Sequence, residues 1–507
     1  MKKIISVLLS IIIIFSFSIF GKSEELTDVE FDNSSVIVTM KHEYSIIDKV
    51  YTLEDFNCDK IAYIEDLTPI SSESIETSKY DLDAWKKILQ LYLIDASNVN
   101  VEAVISELST NEKIETVEKN YVFSMNQKDE IESLQLNTNN QASVASTRSS
   151  VAAFISTNDV KFSEQYALGN TSAIKAWGIT TGSSNVKVGI IDTGINAHSD
   201  FSGNLSTTLS RNFTNEDSLL DTGNHGTKVA GIIGAKANNN FGIAGVCWNV
   251  TLVNLKAYED DAFTLSGGRT KAAWIAEAIN YAASIGIDVL NMSGRATDLL
   301  GRFSMLNAID NYDGIIVISS GDDGISNIPY PACYDSNKII CVASIDFFNN
   351  LVEDSNYSYT DVDLGAPGKD ICTISETNIT SIVNGSSYAA PYVTGAIALL
   401  LSVNPNLTTS QIRSLITENV DVNSSLLGMV RTGGYLNIFN AILDASGYIL
   451  GDTNADGTIT AADARLALRF SSQLETPSNL QRVLCDMNND FYITAADSRT
   501  ILQMAAS

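Results

Sequence analysis

Short apolar runs alternate with longer apolar-periodic stretches along residues 151–446. The short runs have the length of buried strands and read "VKVGIID", "TLVNLKAY", "IDVLNMS" and "IIVISS". Two longer stretches, "AAWIAEAINYAASIG" and "AAPYVTGAIALLLSV", have the length and spacing of helices. Because strands that alternate with helices build parallel sheets with a helical layer on each face, the pattern predicts an α/β domain.

A second pattern precedes this domain, in residues 24–125. "LQLYLI" is an apolar run of strand length, "VEAVISELS" has helical spacing, and "IETVEKNYVF" begins with the alternation of a strand. The pattern predicts strand, helix and strand, and therefore a small α+β domain. Residues 126–150 are polar and rich in Asn, Gln and Ser, which predicts an exposed, cleavable linker.

The N-terminus carries two lysines, an apolar run at residues 4–20 and then small and polar residues. This order is typical of a secretory signal, and we expect residues 1–23 to be removed and the protein to be secreted. An uncleaved anchor is the alternative, although the run is shorter than the roughly 20 residues that a bilayer needs. The later run "TGAIALLLSV" is too short to span a membrane.

Composition excludes one class of partner. The chain of 507 residues, long enough for about three domains, has 60 acidic and 32 basic residues and a net charge of -28. The excess of acidic residues argues against a basic surface that could neutralise phosphates, so we expect no nucleic acid partner. The six cysteines are scattered and predict neither a zinc site nor a disulfide scaffold, and a pair between Cys333 and Cys341 stays open.

A short motif occurs twice near the C-terminus, as "GDTNADGTITAAD" and "CDMNNDFYITAAD". Both copies place oxygen-bearing residues at positions 1, 3, 5, 7, 9 and 12, the offsets that ligate calcium in a helix-flanked loop. The first loop offers Asp452, Asn454, Asp456, Thr458, Thr460 and Asp463, and the second offers Asp486, Asn488, Asp490, Tyr492, Thr494 and Asp497. Phe491 stands where the first loop has Gly457, so we expect the second loop to bind Ca²⁺ less tightly.

Residues 447–507 resemble a dockerin, the duplicated calcium-loop module that docks enzymes onto cohesin domains of scaffold proteins. The segments "ADARLALRF" and "ADSRTILQM" supply the helix that follows each loop. The resemblance implies an all-α module, Ca²⁺ as cofactor and a cohesin partner. It implies nothing about a reaction.

The candidate chemistry lies in three segments of the α/β domain. Asp192 ends the strand "VGIID", His225 lies in "NHGTKVAGIIG", and Ser387 lies at a helix start in "NGSSYAAPYVTGAIALL". Each residue alone also has an ordinary structural interpretation, as a strand-end cap or a helix N-terminal residue. The chain order Asp, His, Ser is one known arrangement of a catalytic triad, and no GxSxG elbow points to the other common serine hydrolase fold.

"DTG" at 192–194, "HGT" at 225–227 and "GSSYAAP" at 385–391 resemble the motifs DTG, HGT and GTSxAxP of subtilisin-like serine peptidases. The likeness extends over residues 160–446. It implies that Asp192 orients and stabilises an imidazolium, that His225 takes the proton, and that Ser387 attacks a peptide carbonyl. It also implies that residues 24–125 are an inhibitory, folding-assisting prodomain.

The resemblance places Ser293, Gly294 and Gly321 along the peptide-binding edge, and Asp322 at the oxyanion position. The family normally has Asn there, and its side-chain N–H helps to hold the oxyanion, whereas an ionised carboxylate repels it. Loss of one such donor costs roughly 10² to 10³ in rate. Burial beside Asp323 favours a protonated Asp322 that can donate. The alternative without a catalytic role is that Asp322 and Asp323 lie in a solvated turn after a strand.

The sequence therefore predicts a secreted endopeptidase that acts on proteins or peptides, is released from its own prodomain and is tethered to a cohesin. Asp322 makes us expect an impaired or pH-dependent enzyme. Two alternatives stay open: a catalytically silent homologue that acts as a scaffold-bound binding protein, and an enzyme that processes only itself.

Overall fold

The computed structural model describes residues 31–40, 63–66, 91–95, 101–110, 114–124, 151–152, 155–259, 269–294, 302–374 and 380–506. The expected signal peptide at 1–23 and linker at 126–150 lie outside these residues. The strands are β1 Phe31–Met40, β2 Tyr63–Asp66, β3 Leu91–Asp95, β4 Ile114–Ser124, β5 Val151–Ala152, β6 Gly182–Asp192, β7 Leu205–Asn212, β8 Asn249–Lys256, β9 Tyr258–Glu259, β10 Arg269–Lys271, β11 Val289–Met292, β12 Ile315–Ser319, β13 Ile339–Ile345, β14 Leu364–Pro367, β15 Ile371–Ile374, β16 Thr380–Val383, β17 Asp421–Val422, β18 Gly434–Tyr435 and β19 Tyr492–Ile493. The helices are α1 Val101–Leu108, α2 Tyr166–Asn170, α3 Ala173–Ala176, α4 His225–Gly234, α5 Ala272–Ser284, α6 Arg302–Asn311, α7 Ser386–Val403, α8 Thr409–Glu418, α9 Ile438–Ser446, α10 Ala461–Ser471, α11 Asn479–Cys485 and α12 Ala495–Ala505.

A nine-stranded sheet forms the centre of the α/β domain, in the order β17-β18-β14-β13-β12-β11-β6-β8-β7. Every pair from β18 to β7 is parallel, and only β17 runs antiparallel to its neighbour. Strands β11, β12 and β13 are buried along their whole length. Such continuous apolar runs are what a parallel sheet covered on both faces requires, so the α/β fold predicted for this domain is confirmed.

Helix α7 lies in the main core and is longer than the run "TGAIALLLSV" indicated. Among the described residues it is the one helix long and apolar enough to cross a membrane by length and composition. Its 18-residue span is 89% buried inside the protein. The helix therefore owes its apolar sequence to its place in the core.

A second sheet joins the N-terminal strands to the α/β domain, in the order β2-β3-β1-β4-β10-β9. The predicted strand, helix and strand are present as β3, α1 and β4. Strand β4 pairs antiparallel with β10, where Thr270 lies opposite Phe123. A segment from the N-terminal region thus extends a sheet edge of the α/β domain.

The C-terminal residues form three helices around a small apolar cluster of their own. This cluster contains Ala464, Ala467, Phe470, Cys485, Ile493 and Ile501. The module is helical apart from β19, which pairs antiparallel with β5 at the start of the α/β domain. Among the described cysteines, Cys247, Cys333, Cys341, Cys372 and Cys485 are all free thiols, so the open pairing of Cys333 with Cys341 is not formed.

Candidate active site

Asp192 is the last residue of β6 and is fully buried. The carboxyl ends of parallel strands are where ligands meet an α/β sheet. Its Oδ1 accepts hydrogen bonds from the N–H of Thr193, at 2.8 Å, and from Nδ1–H of His225, at 2.7 Å. The short bond to the imidazole fixes the ring and its tautomer, so Nε2 is the ring atom left to handle a proton.

His225 is the first residue of α4 and is 2% exposed. The start of α4 and the chain that follows β6 lie very close together here. A Cβ at Gly226 would collide with the carbonyl of Gly194, so glycine is required for this approach. The imidazole ring also lies 5.3 Å from the ring of Tyr388, between centroids. The sequence "DTG" and "HGT" therefore places a carboxylate and an imidazole in hydrogen-bond contact across two elements.

Ser387 occupies the second position of α7 and is 9% exposed. Its Oγ–H donates to the carbonyl of Ser293 at 3.2 Å, and the hydroxyl of Ser293 donates to the carbonyl of Ser387 at 2.8 Å. The helix start and the residue after β11 are thereby held together. Ser293, expected at the peptide-binding edge, lies directly beside the expected nucleophile.

Asp322 lies against the residue before Ser387. Its Oδ1 accepts the N–H of Ser386 at 2.6 Å, and its Oδ2 accepts the hydroxyl of Ser386 at 3.1 Å. The N–H of Gly321 donates to the same Ser386 hydroxyl at 3.0 Å. The Asp322 carboxylate is therefore an acceptor within the turn that presents Ser387, while Asp323 beside it is exposed to solvent.

Asn356 shapes this turn and was not singled out by the sequence. It is fully buried, its Oδ1 accepts the N–H groups of Asp323 and Ile325, and its Nδ2 donates to the carbonyl of Ser320. Gly321 has φ +97° and passes so close to this amide that a Cβ would collide with it. An isolated Asn in a loop gives no periodic signal, so only the fold reveals its position.

Asp221 is a second residue that the sequence did not indicate. Its Oδ1 accepts the hydroxyl of Thr193 at 2.7 Å, and its Oδ2 accepts the N–H and the hydroxyl of Thr227 at 2.7 and 2.6 Å. Burial raises the pKa of Asp221 to about 6. One carboxylate thus joins the threonines of "DTG" and "HGT" and holds the strand end against the helix start.

Gly294 completes the set of expected substrate-binding residues. It is buried beside Tyr258, and a Cβ at this position would collide with the tyrosine hydroxyl. Gly294 follows Ser293 at the carboxyl end of β11, and Gly321 lies just beyond the end of β12. The structure therefore brings Ser293, Gly294 and Gly321 to the same edge of the sheet as the triad candidates.

His198, the other described histidine, has a structural role. Its Nδ1 accepts the N–H of Asp200 at 3.2 Å, and burial lowers its pKa. It caps the short helical turn at 199–201.

The two C-terminal loops fold alike. Asp463 and Asp497 are fully buried, and each accepts the N–H and hydroxyl of the threonine three residues before it, Thr460 or Thr494. Gly457 and Phe491 both have positive φ, 91° and 63°, which costs a non-glycine residue roughly 1–2 kcal/mol. The second loop therefore carries a backbone strain at this position that the first loop avoids through Gly457.

These loops fit a calcium ion by the chemistry of their donors. Asp452 and Asp486 are nearly or fully buried, and Oδ2 of Asp486 accepts no hydrogen bond from the described residues. Every residue of the two sets offers oxygen, which suits a hard cation. Within the described part of the chain, no three His, Cys, Asp or Glu side chains form a metal cluster by themselves, so amide, hydroxyl and carbonyl oxygens would have to complete each set.

Comparison with known proteins identifies relatives of the α/β domain. The model of the subtilase family matches residues 183–443. The chain is 32% identical over 347 residues to a thermophilic serine proteinase of Bacillus sp. strain AK1, covering 68% of this chain and 76% of that protein. It is 29% identical over 378 residues to halolysin of Haloferax mediterranei, covering 71% and 68%, and 33% identical over 289 residues to thermitase of Thermoactinomyces vulgaris, covering 56% and 98%.

Proposed function

Since the chain belongs to the subtilase family and is a subtilisin-like serine endopeptidase, we propose that Asp192, His225 and Ser387 are its catalytic triad. The observation that carries this assignment is the 2.7 Å hydrogen bond between Nδ1 of His225 and the buried carboxylate of Asp192. Ser387 starts a helix at the same edge of the sheet, where backbone N–H groups point toward incoming negative charge.

In the proposed reaction, Oγ of Ser387 leaves the carbonyl of Ser293 and attacks the peptide carbonyl carbon. Nε2 of His225 takes the hydroxyl proton, and Asp192 stabilises the resulting imidazolium. The imidazolium then gives this proton to the leaving amine as the C–N bond breaks. Water, activated by the same imidazole, cleaves the acyl ester and returns Ser387 to its starting state.

The oxyanion would be held by the backbone N–H of Ser387 and by Asp322 when that residue is protonated. The bonds from Ser386 support this position, because they hold the Asp322 carboxyl against the residue before the proposed nucleophile. In its ionised form the carboxylate offers no donor. The proposal is therefore an endopeptidase whose acylation depends on pH.

Residues 24–125 are proposed as the inhibitory prodomain. The antiparallel pairing of β4 with β10 supports this role, because main-chain pairing at a sheet edge is how an extended peptide is held. Cleavage after this strand, within residues 126–150, would free the edge for a protein or peptide substrate.

Secretion and tethering complete the proposal. Residues 1–23 would direct export, and a protein 29% identical to this chain, Nep of Natrialba magadii, is named as an extracellular serine protease. Residues 447–507 would bind Ca²⁺ through the two loops and dock on a cohesin of a scaffold protein. The hydrogen bond that both loops form between the threonine N–H and the aspartate three residues later supports the calcium assignment.

The first experiment is a mass spectrum of the purified full-length protein beside its Ser387→Ala variant, with casein and calcium, at pH 5.5 and 7.5. We expect only the parent to lose a fragment that ends within residues 126–150 and to degrade casein. Processing without casein degradation would indicate an enzyme that acts only on itself.

A catalytically silent homologue is the second candidate, because both carboxylate oxygens of Asp322 accept hydrogen bonds at the oxyanion position. If parent and variant both stay intact under every condition, this candidate replaces the triad assignment. Docking of residues 447–507 on a cohesin would then be the function that remains proposed.

A further inference from the structure

Lys175 connects the α/β domain to the second C-terminal loop. It belongs to α3 and is 3% exposed. Its Nζ donates to the carbonyl of Asp486 at 3.2 Å and to Oδ1 of Asn489 at 2.8 Å, and lies 3.5 Å from Oδ2 of Asp486. Phe439 supports this position, because the ammonium also lies 4.6 Å from the centre of its ring. A buried cation of one domain thus ends inside a loop of another.

The two loops differ at the oxygen that Lys175 faces. In the first loop, Oδ2 of Asp452 accepts the N–H of Gly457 at 2.7 Å. In the second loop, Oδ1 of Asp486 accepts the N–H of Asp490, whereas Oδ2 accepts no hydrogen bond from the described residues. The positive charge of Lys175 therefore takes the place of a backbone donor at the second loop.

Apolar and backbone contacts hold the second loop against the α/β domain as well. Val483, in the helix that leads into the loop, is fully buried and belongs to the main core of the α/β domain. It fits there because Gly178 has no Cβ, which would collide with the Val483 side chain. Within the loop, Ile493 pairs with Val151. The loop is thus fixed to the α/β domain both by the helix that leads into it and by its own backbone.

We propose that Lys175 sets two binding events against each other. One is the docking of residues 447–507 on the peptidase domain, the other is Ca²⁺ binding at the second loop, and each weakens the other. The ammonium and a calcium ion bring positive charge to the same Asp486 carboxylate. Two like charges a few ångströms apart in a poorly solvated place repel strongly. The inference rests on the proposed calcium binding, and its interaction partner is the chain's own peptidase domain.

Thermodynamic linkage means that docking and calcium binding weaken each other to the same extent. If docking lowers the calcium affinity of the second loop, calcium must weaken docking by the same factor. The first loop, whose Asp452 is held by the N–H of Gly457, is not subject to this repulsion. Rising calcium would then fill the first loop, fill the second, and release the module from the peptidase surface.

The test measures calcium affinity by calorimetry on the full chain, with Ser387→Ala throughout to prevent self-digestion. Asp456→Ala disables the first loop and Asp490→Ala, at the equivalent position, disables the second. In the Asp456→Ala background we expect Lys175→Met to tighten calcium binding about tenfold. Lys175→Arg keeps the charge and should match the parent. Lys161→Met, at an exposed lysine of the same region, should also match it.

Hydrogen exchange of α11 and β19 supplies a second readout. Calcium should reduce their protection in the Asp456→Ala chain and leave it unchanged in the Asp490→Ala chain. If Lys175→Met leaves the calcium affinity of the Asp456→Ala chain unchanged, or if calcium increases the protection, the inference is overturned and the proposed calcium sites stay intact. If the Asp490→Ala chain, which keeps only the first loop, binds calcium and the Asp456→Ala chain does not, the second loop is not a calcium site and the inference fails. If neither chain binds calcium, the calcium assignment fails as well.

Discussion

In the proposed reaction, Asp322 would determine how well the oxyanion can be stabilised, because its side chain meets the turn before Ser387. Its carboxylate accepts two bonds from Ser386. An Asn of the same shape could keep the bond from the Ser386 N–H through its Oδ1, and its amide group would add a donor. Ser386, which already accepts the N–H of Gly321, would then donate elsewhere. Under the proposed assignment, the charge of one residue would control the rate of acylation without any change in the fold.

We predict that Asp322→Asn raises kcat on a peptide substrate about 10²-fold at pH 8, since it restores one oxyanion donor. The ratio of variant to parent should fall toward pH 5, because protonation lets the parent's Asp322 donate. Paired pH–rate profiles measure this ratio, with Asp323→Asn as the control that makes the same change one residue away. A variant no faster than the parent from pH 5 to pH 8 would show that Asp322 is not at the oxyanion.

The end of strand β6 and the start of helix α4 are joined by Asp221 rather than by contact alone. Each of its oxygens binds a threonine of one element, Thr193 or Thr227. Burial raises its pKa from 3.8 to about 6. Between these values the folded state holds a proton that the unfolded state has lost, so this group makes stability fall as pH rises. Above pH 6 the folded state keeps a buried charge that is held by hydrogen bonds alone.

We therefore predict that the urea concentration at the unfolding midpoint of the Ser387→Ala protein decreases as pH rises from 4 to 6. Asp221 should contribute about 3 kcal/mol to this loss in the free energy of unfolding. Asp221→Asn should remove that contribution, because it has no charge to bury. Asp217→Asn, on the exposed part of the same loop, should keep the pH dependence of the parent. The prediction is wrong if Asp221→Asn and the parent show the same change with pH.

The described residues between 32 and 506 pack into one compact unit, although the sequence divides them into modules. The boundary at residues 446 and 447 is crossed by the buried Val483 side chain and by the ion pair of Lys175 with Asp486. Removal of one partner from a buried ion pair is costly, because it leaves the other charge uncompensated. The peptidase domain and the C-terminal module should therefore share one unfolding transition.

We predict a single calorimetric transition for the Ser387→Ala protein in a calcium chelator. A chain that ends at residue 446 should unfold at a temperature lower by about 5 °C or more, because it loses the burial of Val483 and the countercharge of Lys175. A chain shortened only by residues 505–507 is the control and should keep the transition of the parent. Two separate transitions, or a truncation without effect on the peptidase transition, would contradict this prediction.

Local pattern was sufficient for the main elements and for the candidate triad. The buried parallel strands are continuous apolar runs, and each of "DTG", "HGT" and "GSSYAAP" contains its candidate catalytic residue within a short local segment. The same holds for the proposed calcium loops, because their donors lie within twelve consecutive residues. Strand, helix and loop periodicity are properties of neighbouring residues, so the sequence alone contains them.

Contacts between distant residues were beyond such a pattern. Asn356 holds Asp323 in the turn from 33 positions further along the chain, Asp221 joins two motifs, and Lys175 reaches Asp486 across 311 positions. No periodicity relates these residues, because a buried polar side chain is placed by whichever unpaired groups the folded chain brings beside it. The sequence therefore predicted the candidate catalytic groups, and the packing of the chain decided which groups hold them in place.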